Sequence, residues 1–308
     1  MSSKKPILIT GFHRSGTTWV GKMLAASPSV RFVAEPFNLN HSQCLCGHQF
    51  KYWFQYISSE NESHFYTHLK HTLDLSYNFA GELRTVRTAK DASNLLVGSS
   101  KFLLRRFLNI RPLIKDPIAL FSAEWLATKF NLDVVVLIRH PAAFAGSLKR
   151  LNWKFPFSHF LEQPLLMRDV LQPFAGEIKH YTQRDYDIID QAILLWKIFY
   201  HVIFSYKNNH DNWIFVRHED ISINPLKYYQ TLCNQLQLEF TPKMIQSIKE
   251  HSYSEDISQV IDQEIHRLKR DSQQNILRWK TILNTSEIDR IRLKLSDISC
   301  SFYSNEDW

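Results

Sequence analysis

A glycine-rich turn near the start of the chain constrains its fold more than any other stretch. Residues 11–19 read GFHRSGTTW and connect the short apolar run PILIT (6–10) to a run that is typical of a helix. A turn of this kind, between a buried strand and a helix N-terminus, directs backbone N–H groups towards an anion. The stretch therefore predicts a strand–loop–helix unit that binds phosphate.

The loop differs from that of an ATP-binding P-loop at one position. Its two glycines have the right spacing, but Thr17 follows the second glycine, Gly16, where that motif has the lysine that reaches the terminal phosphates. The only cation of the loop is Arg14, and Ser15 and Thr18 add small hydroxyl donors beside it. An arginine among hydroxyls favours an anion site over a tight turn that merely needs two glycines.

Four further apolar runs have the character of buried parallel strands. Three of them end at a polar or charged residue followed by proline, which cannot continue a hydrogen-bonded ladder. Their last side chains should lie at the carboxyl edge of the sheet, where open α/β sheets bind ligands. The four runs are VRFVAEP (30–36), RPLIKDP (111–117), DVVVLIRHP (133–141) and NWIFVRHED (212–220).

Segments with helical periodicity alternate with these strands, which predicts an α/β fold with a doubly wound parallel sheet flanked by helices. We expect one domain over residues 1–308. Residues 38–110 and 152–187 fit the alternation poorly, and we interpret them as insertions over the carboxyl edge, where an acceptor would bind. The predicted helices are 122–130 with a serine cap, 141–151 with proline at its first position, the mostly apolar 191–204, 224–236 and 285–298.

The composition is that of an ordinary globular protein. Hydrophobic residues make up 44% of the chain, and the net charge of +7 favours anionic ligands, whereas the spread of the basic residues argues against a nucleic-acid partner. The N-terminus lacks the apolar core of a secretory signal, and no stretch approaches the roughly 20 apolar residues of a membrane span. We therefore expect a cytoplasmic protein without a transmembrane segment.

Polar residues at the predicted strand ends are candidates for the chemistry. Arg139 ends one strand and Ser147 follows it by eight residues, so that both side chains can converge on one phosphate. Glu35 ends another strand and has the position of a general base, or of a carboxylate that faces solvent. Lys115 has the same two interpretations, and Asp116 either pairs with it or caps the following helix.

Three other stretches have ordinary interpretations beside functional ones. HSQCLCGH (41–48) contains zinc-ligand residue types, but its spacing is not that of a zinc knuckle, and we expect no metal. KFLLRRFLNIR (101–111) fits either a basic amphipathic helix that contacts a membrane or a half-buried helix. HED (218–220) is interpreted as a helix start, where acidic residues are favoured.

Several stretches together resemble the sulfotransferases that use 3′-phosphoadenosine-5′-phosphosulfate (PAPS). HRSGTTW (13–19) is similar to the loop of that family that holds the 5′-phosphosulfate. RHPAAFAGS (139–147) is similar to its R-x₇-S segment, which binds the 3′-phosphate. VRHEDISINP (216–225) and RWKTIL (278–283) are weaker matches to its E-D-L…P segment and its late tryptophan block. The matches follow the order of the family along nearly the whole chain.

The resemblance implies a P-loop-type fold and a role for each loop residue. PAPS has no γ-phosphate, which would explain the absent lysine, and the cation near the bridging oxygen would be Arg14. The loop residues Ser15, Gly16, Thr17 and Thr18 would hold the phosphosulfate. The resemblance further implies adenine stacking by Trp19, 3′-phosphate binding by Arg139 and Ser147, and transfer of the sulfuryl group without a metal.

The catalytic base implied by the resemblance depends on the branch of the family. Glu35 looks like the early glutamate of the glycosaminoglycan and tyrosylprotein branches, and Lys115 is similar to a lysine that approaches the sulfuryl oxygens. The alternative base is a histidine of the 41–71 region, such as His41 or His64. Residues 266–275 take the place of the family's late R-K-G block, and no nucleotide contact is assigned there.

Two other functions remain open from the sequence, an atypical P-loop kinase and a non-catalytic protein that binds the nucleotide. The acceptor of a sulfotransferase would carry a hydroxyl or amine, and the analogy with branches that use an early glutamate favours a carbohydrate or glycolipid. Aromatic residues in the two insertions would stack on sugars, line a lipid cleft or form core. These aromatic residues are Tyr52, Trp53, Phe54, Trp153, Phe155 and Phe157.

Overall fold

Five parallel strands form one sheet in the order β2-β3-β1-β4-β5, which confirms the predicted doubly wound α/β fold. The computed structural model describes residues 5–40, 50–74, 110–252 and 276–308. Every strand forms where an apolar run was predicted. The strands are β1 (Ile7–Thr10), β2 (Val30–Ala34), β3 (Arg111–Lys115), β4 (Asp133–Ile138) and β5 (Ile214–Arg217).

Helices connect and cover these strands. The first half of the described chain contains α1 (Thr17–Leu24), α2 (Tyr66–Leu73), α3 (Ala123–Phe130), α4 (Pro141–Leu151), α5 (Ser158–Leu161), α6 (Pro164–Asp169) and α7 (Ala175–Gln183). The second half contains α8 (Ile188–Asn209), α9 (His218–Ile223), α10 (Pro225–Gln235), α11 (Pro242–Ser252), α12 (Trp279–Ile282) and α13 (Thr285–Ser299). Short 3₁₀ turns occupy Glu62–His64, Pro117–Ser122, Gln172–Phe174 and Asn305–Asp307.

The central strands are buried on both faces because helices pack on both sides of the sheet, and successive side chains of a strand point to opposite sides. Ile7 and Ile9 of β1 join the core beneath α1 and α10, whereas Leu8 joins the core on the opposite side, with Phe144 of α4 and Phe199 of α8. This two-sided burial explains why the strands read as continuous apolar runs rather than as alternating ones.

The predicted helices form, but one predicted cap is wrong. Ser122 does precede α3, yet its hydroxyl donates to the carbonyl of Gln55 (2.6 Å) and does not cap the helix. The Ser122 hydroxyl therefore binds a residue distant in sequence instead of the end of its own helix. Pro141 lies at the first position of α4 as predicted, and α13 begins with a capping box formed by Asn284 and Glu287.

Helix α8 is the long apolar helix of the core. Among the described residues it alone is long and apolar enough to cross a membrane, although no such stretch was expected from the sequence. In the most apolar window of α8, 67% of the residues are buried inside the protein, against α4 and α13 among others. That burial is what the core helix of a globular domain shows.

The described parts of the two predicted insertions pack on each other. The amide of Trp53 donates to Nδ1 of His159 (3.0 Å), and the amide of Tyr56 donates to the side chain of Gln163 (2.8 Å). Their aromatic residues serve two purposes. Phe54, Phe155 and Phe157 are core, whereas Tyr52, Trp53 and Trp153 are half-buried.

Candidate functional site

The loops that follow β1 and β4 leave the sheet at its point of topological reversal. β1 lies between β3 and β4, so the connections after β1 and β4 diverge at the carboxyl edge. A crevice at this position is the usual ligand site of an open α/β sheet. The predicted phosphate loop and Arg139 both occur there.

The phosphate loop has the backbone geometry that its two glycines allow. Gly11 has φ 147° and Gly16 has φ 103°, a region that other residues rarely adopt. A Cβ atom would also lie 2.4 Å from the carbonyl oxygen of Leu137 at Gly11, and 2.4 Å from the imidazole of His218 at Gly16. Both glycines are therefore needed for conformation and for space.

A hydroxyl in the loop is available for a ligand. Ser15 is fully buried, and in the described part of the chain its Oγ has no hydrogen-bond partner. A buried hydroxyl is normally paired, so this one is a candidate donor for a bound anion. Thr17 begins α1 directly after Gly16, where the first helical amides also lack partners within the helix. Thr18 follows and is half-buried.

Trp19 lies on the first turn of α1 and is half-buried. Its ring packs edge-on against His218 and Tyr229, with ring centroids 5.7 Å apart in both contacts. Among the described residues, its buried Nε1 has no hydrogen-bond partner. These contacts place the indole beside the loop, as a stacking residue requires, and they leave its role a prediction.

An open pocket, which we call the arginine pocket, lies beside the loop. Its walls come from the loop, the end of β4, helix α4 and the segment that leads into α12. The lining residues are Arg14, Arg139, Ala143, Ser147, Arg150, Arg278, Trp279 and Ile282.

Three residues predicted from the sequence meet in the arginine pocket. Nε of Arg14 donates to the hydroxyl of Ser147 (3.0 Å), and one terminal nitrogen of Arg139 donates to the carbonyl of Arg14 (2.7 Å). Nε of Arg139 is buried and, within the described residues, unpartnered. Arg14 thus contacts the group that was predicted to bind the 3′-phosphate, in addition to belonging to the loop.

Arg150 and Arg278 also line the pocket, and neither was singled out from the sequence. Burial lowers the pKa of Arg150, and the charge of Arg278 lowers it further. Arg150 follows Ser147 by three residues in one helix, so both lie on the same helix face. This spacing is the sequence signal that could have identified Arg150. Arg278 begins the stretch RWKTIL (278–283), which resembles the late tryptophan block of the family, but no residue of that stretch was assigned a role.

Glu35 and Lys115 form a second cluster, at the ends of β2 and β3. Their side chains make an ion pair in which the lysine is 4% and the glutamate 15% exposed. The amide of Glu35 also donates to the carbonyl of Lys115 (2.8 Å), and Asn38 donates to the second carboxylate oxygen of Glu35 (2.6 Å). Gly21 of α1 leaves space for the lysine, since a Cβ there would lie 2.9 Å from its Cγ.

Asp116 follows the second of the two alternatives left open for it, which was the cap. Its Oδ1 accepts from the amide of Ile118 (3.0 Å) at the start of the 3₁₀ turn. Its Oδ2 accepts from the amide of Phe37 (2.7 Å), a contact that the sequence did not suggest.

The alternative bases and the metal candidate are only partly described. His64 is exposed in the 3₁₀ turn Glu62–His64, and His41 and the stretch 41–48 lie outside the described residues. Most of 101–111 and all of 266–275 also lie outside them. In the four described segments, no group of three or more His, Cys, Asp or Glu side chains is placed to hold a metal ion.

The HED stretch does begin a helix, α9, but its glutamate is more than a helix-start charge. Glu219 is buried, accepts the amide of His140 (3.0 Å) and accepts the hydroxyl of Tyr303 (3.0 Å). The ring of His140 stacks on Trp279 at a centroid distance of 5.2 Å. This network supports the backbone directly after Arg139.

Comparison with known proteins identifies the family. A family model described as the sulfotransferase family matches residues 6–242, so the chain belongs to that family. The resemblance inferred from the sequence, and the prediction that the protein is a sulfotransferase, are thereby confirmed. No curated protein sequence matches the chain.

The chain is also similar to solved structures of sulfotransferases. The sulfotransferase domain of the Synechococcus PCC 7002 olefin synthase is 17% identical, with 99% of this chain and 98% of that chain covered and a TM-score of 0.50. The domain from the curacin biosynthetic pathway is 18% identical over 95% and 98%, with a TM-score of 0.47. Mouse sulfotransferase SULT7A1, complexed with PAP, is 11% identical over 98% and 86%, with a TM-score of 0.46. At 17% identity, the similarity to the olefin synthase domain shows a shared fold and nothing further.

Proposed function

We propose that the protein transfers the sulfuryl group of PAPS to a hydroxyl of a carbohydrate or glycolipid acceptor, with Glu35 as general base. The observation that carries the proposal is the arginine pocket beside the phosphate loop. Four guanidinium groups line it together with Ser147. PAPS has an anionic group at both its 3′ and 5′ positions, and such a ligand suits an anion loop with an adjoining cationic pocket.

The residues present fit the nucleotide on two counts. The buried Oγ of Ser15 and the buried Nε of Arg139 have no partner among the described residues, and each is a donor that an anion would satisfy. Arginine binds phosphate oxygens through charge-assisted and bidentate hydrogen bonds, which are the stronger kind. Arg139, Ser147, Arg150 and Arg278 would hold the 3′-phosphate, and the loop would hold the phosphosulfate.

The proposed chemistry is an in-line displacement at sulfur. Glu35 accepts the proton of the acceptor hydroxyl while the acceptor oxygen bonds to sulfur and the bond from sulfur to the 5′-phosphate oxygen breaks. Arg14 and the loop amides stabilise the negative charge that develops on the 5′-phosphate. Lys115, paired with Glu35, holds the base and reaches the sulfuryl oxygens. Catalysis is then mostly positioning and charge stabilisation, as in phosphoryl transfer.

The proposed acceptor class rests on the resemblance and on one aromatic face. Trp153 is half-buried, and its ring lies 5.3 Å from that of His13, the residue before Arg14. An indole partly open to solvent, this close to the loop, is a stacking surface for a sugar ring. Simple sugars and alkyl glycosides are therefore the first acceptors to try.

The nucleotide site is tested by thermal stabilisation with adenosine 3′,5′-bisphosphate (PAP), AMP and ADP, each with and without Mg²⁺. Ligand at about 100 times its Kd stabilises by about 2.7 kcal/mol, which raises Tm by a few degrees. We expect only PAP to do so, and Arg139→Ala to remove the rise. Arg168→Ala, at an exposed ion pair, is the matched control and should keep it. Stabilisation by ADP with Mg²⁺ as large as that by PAP would support a kinase instead.

The base is tested by single-turnover release of PAP from PAPS, with water and with a panel of sugars and alkyl glycosides. The fastest acceptor found, or water if none is faster, is then used for the variants. We expect Glu35→Gln to slow release at least about 100-fold without weakening PAP binding. Glu62→Gln, which also removes a carboxylate paired with a lysine, should have no effect. Full activity of Glu35→Gln would exclude Glu35 as the base.

A further inference from the structure

Asp116 is a buried acidic residue that the proposed chemistry does not use. It is fully buried at the end of β3, next to Lys115. Its two carboxylate oxygens bind amides from two different segments, Phe37 after β2 and Ile118 after β3. The side chain therefore ties the turn that follows β2 to the end of the neighbouring strand.

That turn carries Glu35 in an unusual backbone conformation. Glu35 has φ 44°, in the left-handed region that costs free energy for a residue other than glycine. The turn closes on itself through the amide of Asn38, which donates to the carbonyl of Glu35 (3.1 Å). Within the same turn, the amide of Phe37 donates to the carboxylate of Asp116 (2.7 Å). The contacts made by Lys115 and Asp116 thus hold Glu35 in a strained backbone conformation. Such strain is common at functional sites.

A buried carboxylate is costly to retain unless its hydrogen bonds offset its loss of water. Burial raises the pKa of Asp116 to about 7, the amide of Phe37 opposes this rise, and the charges of Glu35 and Lys115 act in opposite directions. An apolar residue would avoid the cost but could not accept either amide. The retained carboxylate therefore has a local task, which is to hold the turn.

We propose that Asp116 is a positioning residue for Glu35. By accepting the amide of Phe37, it fixes the turn that presents the Glu35 carboxylate to Lys115 and to the acceptor hydroxyl. This inference rests on the proposed role of Glu35 as the base. It goes beyond that role because it assigns the geometry of the base to a residue that touches neither substrate.

The test is Asp116→Asn, which keeps the size of the side chain and loses one acceptor oxygen. We expect the single-turnover release of PAP to slow at least about tenfold, because the base is displaced. The Kd for PAP should stay within about twofold, because the arginine pocket is built from other residues. Amide hydrogen exchange at Phe37 should accelerate, which reports directly on the lost bond.

Asp133→Asn is the matched control, because Asp133 binds Arg111 at the opposite edge of the sheet. This variant should lower Tm and leave both the release rate and the Kd unchanged. A wild-type release rate in Asp116→Asn together with faster exchange of the Phe37 amide overturns the proposal, and so does an equal loss of PAP affinity. If Asp116→Asn does not fold, the exchange of the Phe37 amide in the wild type decides, because rapid exchange there shows that no such tether exists.

The parallel variant Glu35→Gln separates the two possible failures. If Glu35→Gln is inactive and Asp116→Asn is fully active, only the positioning role is overturned. If Glu35→Gln is fully active, the proposed base is wrong and the positioning role is overturned with it.

Discussion

Two arginines at opposite edges of the sheet show how differently the same side chain is used. Arg111 begins β3 at the amino edge and is 3% exposed. It donates to the carbonyls of Lys5 and Leu236 and to the carboxylate of Asp133, so every nitrogen of its guanidinium has a partner. Arg139 follows β4 at the carboxyl edge, donates to the carbonyl of Arg14 and retains a buried Nε with no partner in the described chain.

Under the proposed function, this difference separates a structural clamp from a ligand site. A saturated buried guanidinium holds chain segments together and has no donor left for a ligand. An incompletely paired one, beside three other arginines, has donors and charge that an anion satisfies. We therefore expect the amino edge of this sheet to supply stability and the carboxyl edge to supply the binding site.

The largest expected effects come from removing each arginine. Arg139→Ala should weaken PAP binding at least about 100-fold, or about 3 kcal/mol, and cost about 1 kcal/mol of stability, because it loses one hydrogen bond to protein. Arg111→Ala should cost about 3–5 kcal/mol of stability, because it leaves Asp133 and two carbonyls unpaired. Calorimetric titration with PAP and urea unfolding measure the two effects. An equal loss of stability in both variants would break the comparison.

The next effect compares glycines inside and outside the carboxyl edge. Gly16→Ala should cost about 1–3 kcal/mol of stability and weaken PAP binding at least about tenfold, because φ 103° is strained for alanine and His218 occupies the space. Gly176→Ala on α7 is the control, since its Cβ meets nothing within 4 Å. It should stabilise by up to about 1 kcal/mol. Thermal melts and PAP titrations of both variants give the contrast, which fails if Gly16→Ala binds PAP normally.

The carboxyl edge should also introduce a pH dependence of stability through His13. Burial, reinforced by the charge of Arg14, lowers its pKa from 6.5 to about 3. Below pH 6.5 the unfolded chain binds a proton at this histidine, and the folded chain does not. The stability that neutral His13 contributes to the folded state is therefore present above pH 6.5 and is lost as the pH falls towards 3. The stability of wild type relative to His13→Gln should therefore fall by up to about 1.4 kcal/mol per pH unit in this window.

Urea unfolding of both proteins at several pH values measures this difference. His140, whose pKa burial also lowers to about 3, changes stability in the same direction, whereas the raised pKa values of Asp116 and Glu219 act oppositely. These three contributions are shared by wild type and variant and cancel in the comparison. Parallel pH curves for the two proteins would show that His13 is not buried as a neutral group.

The smallest effect concerns the space for Lys115. Gly21→Ala places a Cβ 2.9 Å from Cγ of Lys115 and 3.0 Å from a ring carbon of Phe32, so the lysine must move. PAP release should slow about tenfold while the Kd for PAP is unchanged, because the displaced Lys115 pairs with Glu35 and does not line the arginine pocket. Single-turnover release and calorimetry report the two quantities. A change in the Kd for PAP instead would show that the Glu35–Lys115 pair and the arginine pocket do not act separately.

The fold could be predicted because its signals are local. Apolar runs, three of them ended by proline, predicted every strand that the described chain forms, and the glycine turn predicted the loop between β1 and α1. Local patterns failed where a distant residue competes for a group. The hydroxyl of Ser122 binds Gln55 rather than its own helix, and Glu219 is buried beneath Tyr303 rather than serving only the start of α9.

The convergence of the candidate residues could be predicted in part. Arg14, Ser147 and Arg139 were singled out because each lies in a short motif, and the fold brings these three residues into contact. Their roles stay predictions. Arg150 was not found because it lies outside the matched motifs, and Arg278 was not found because the weak RWKTIL match assigned no role to it. They enter the pocket only when α4 and the segment before α12 pack side by side.

The sequence by itself determined the sheet, the phosphate loop and the family, because burial, proline and glycine act over a few residues. Only the tertiary structure decided which guanidinium is saturated by the protein and which keeps an unpartnered nitrogen in the described chain. The motif around Arg139 suggested a ligand role, but nothing near Arg111 or Arg139 in the sequence indicates which partners each guanidinium meets. The distinction comes from the carbonyls and carboxylates that chain packing delivers to each guanidinium, and those come from distant parts of the sequence.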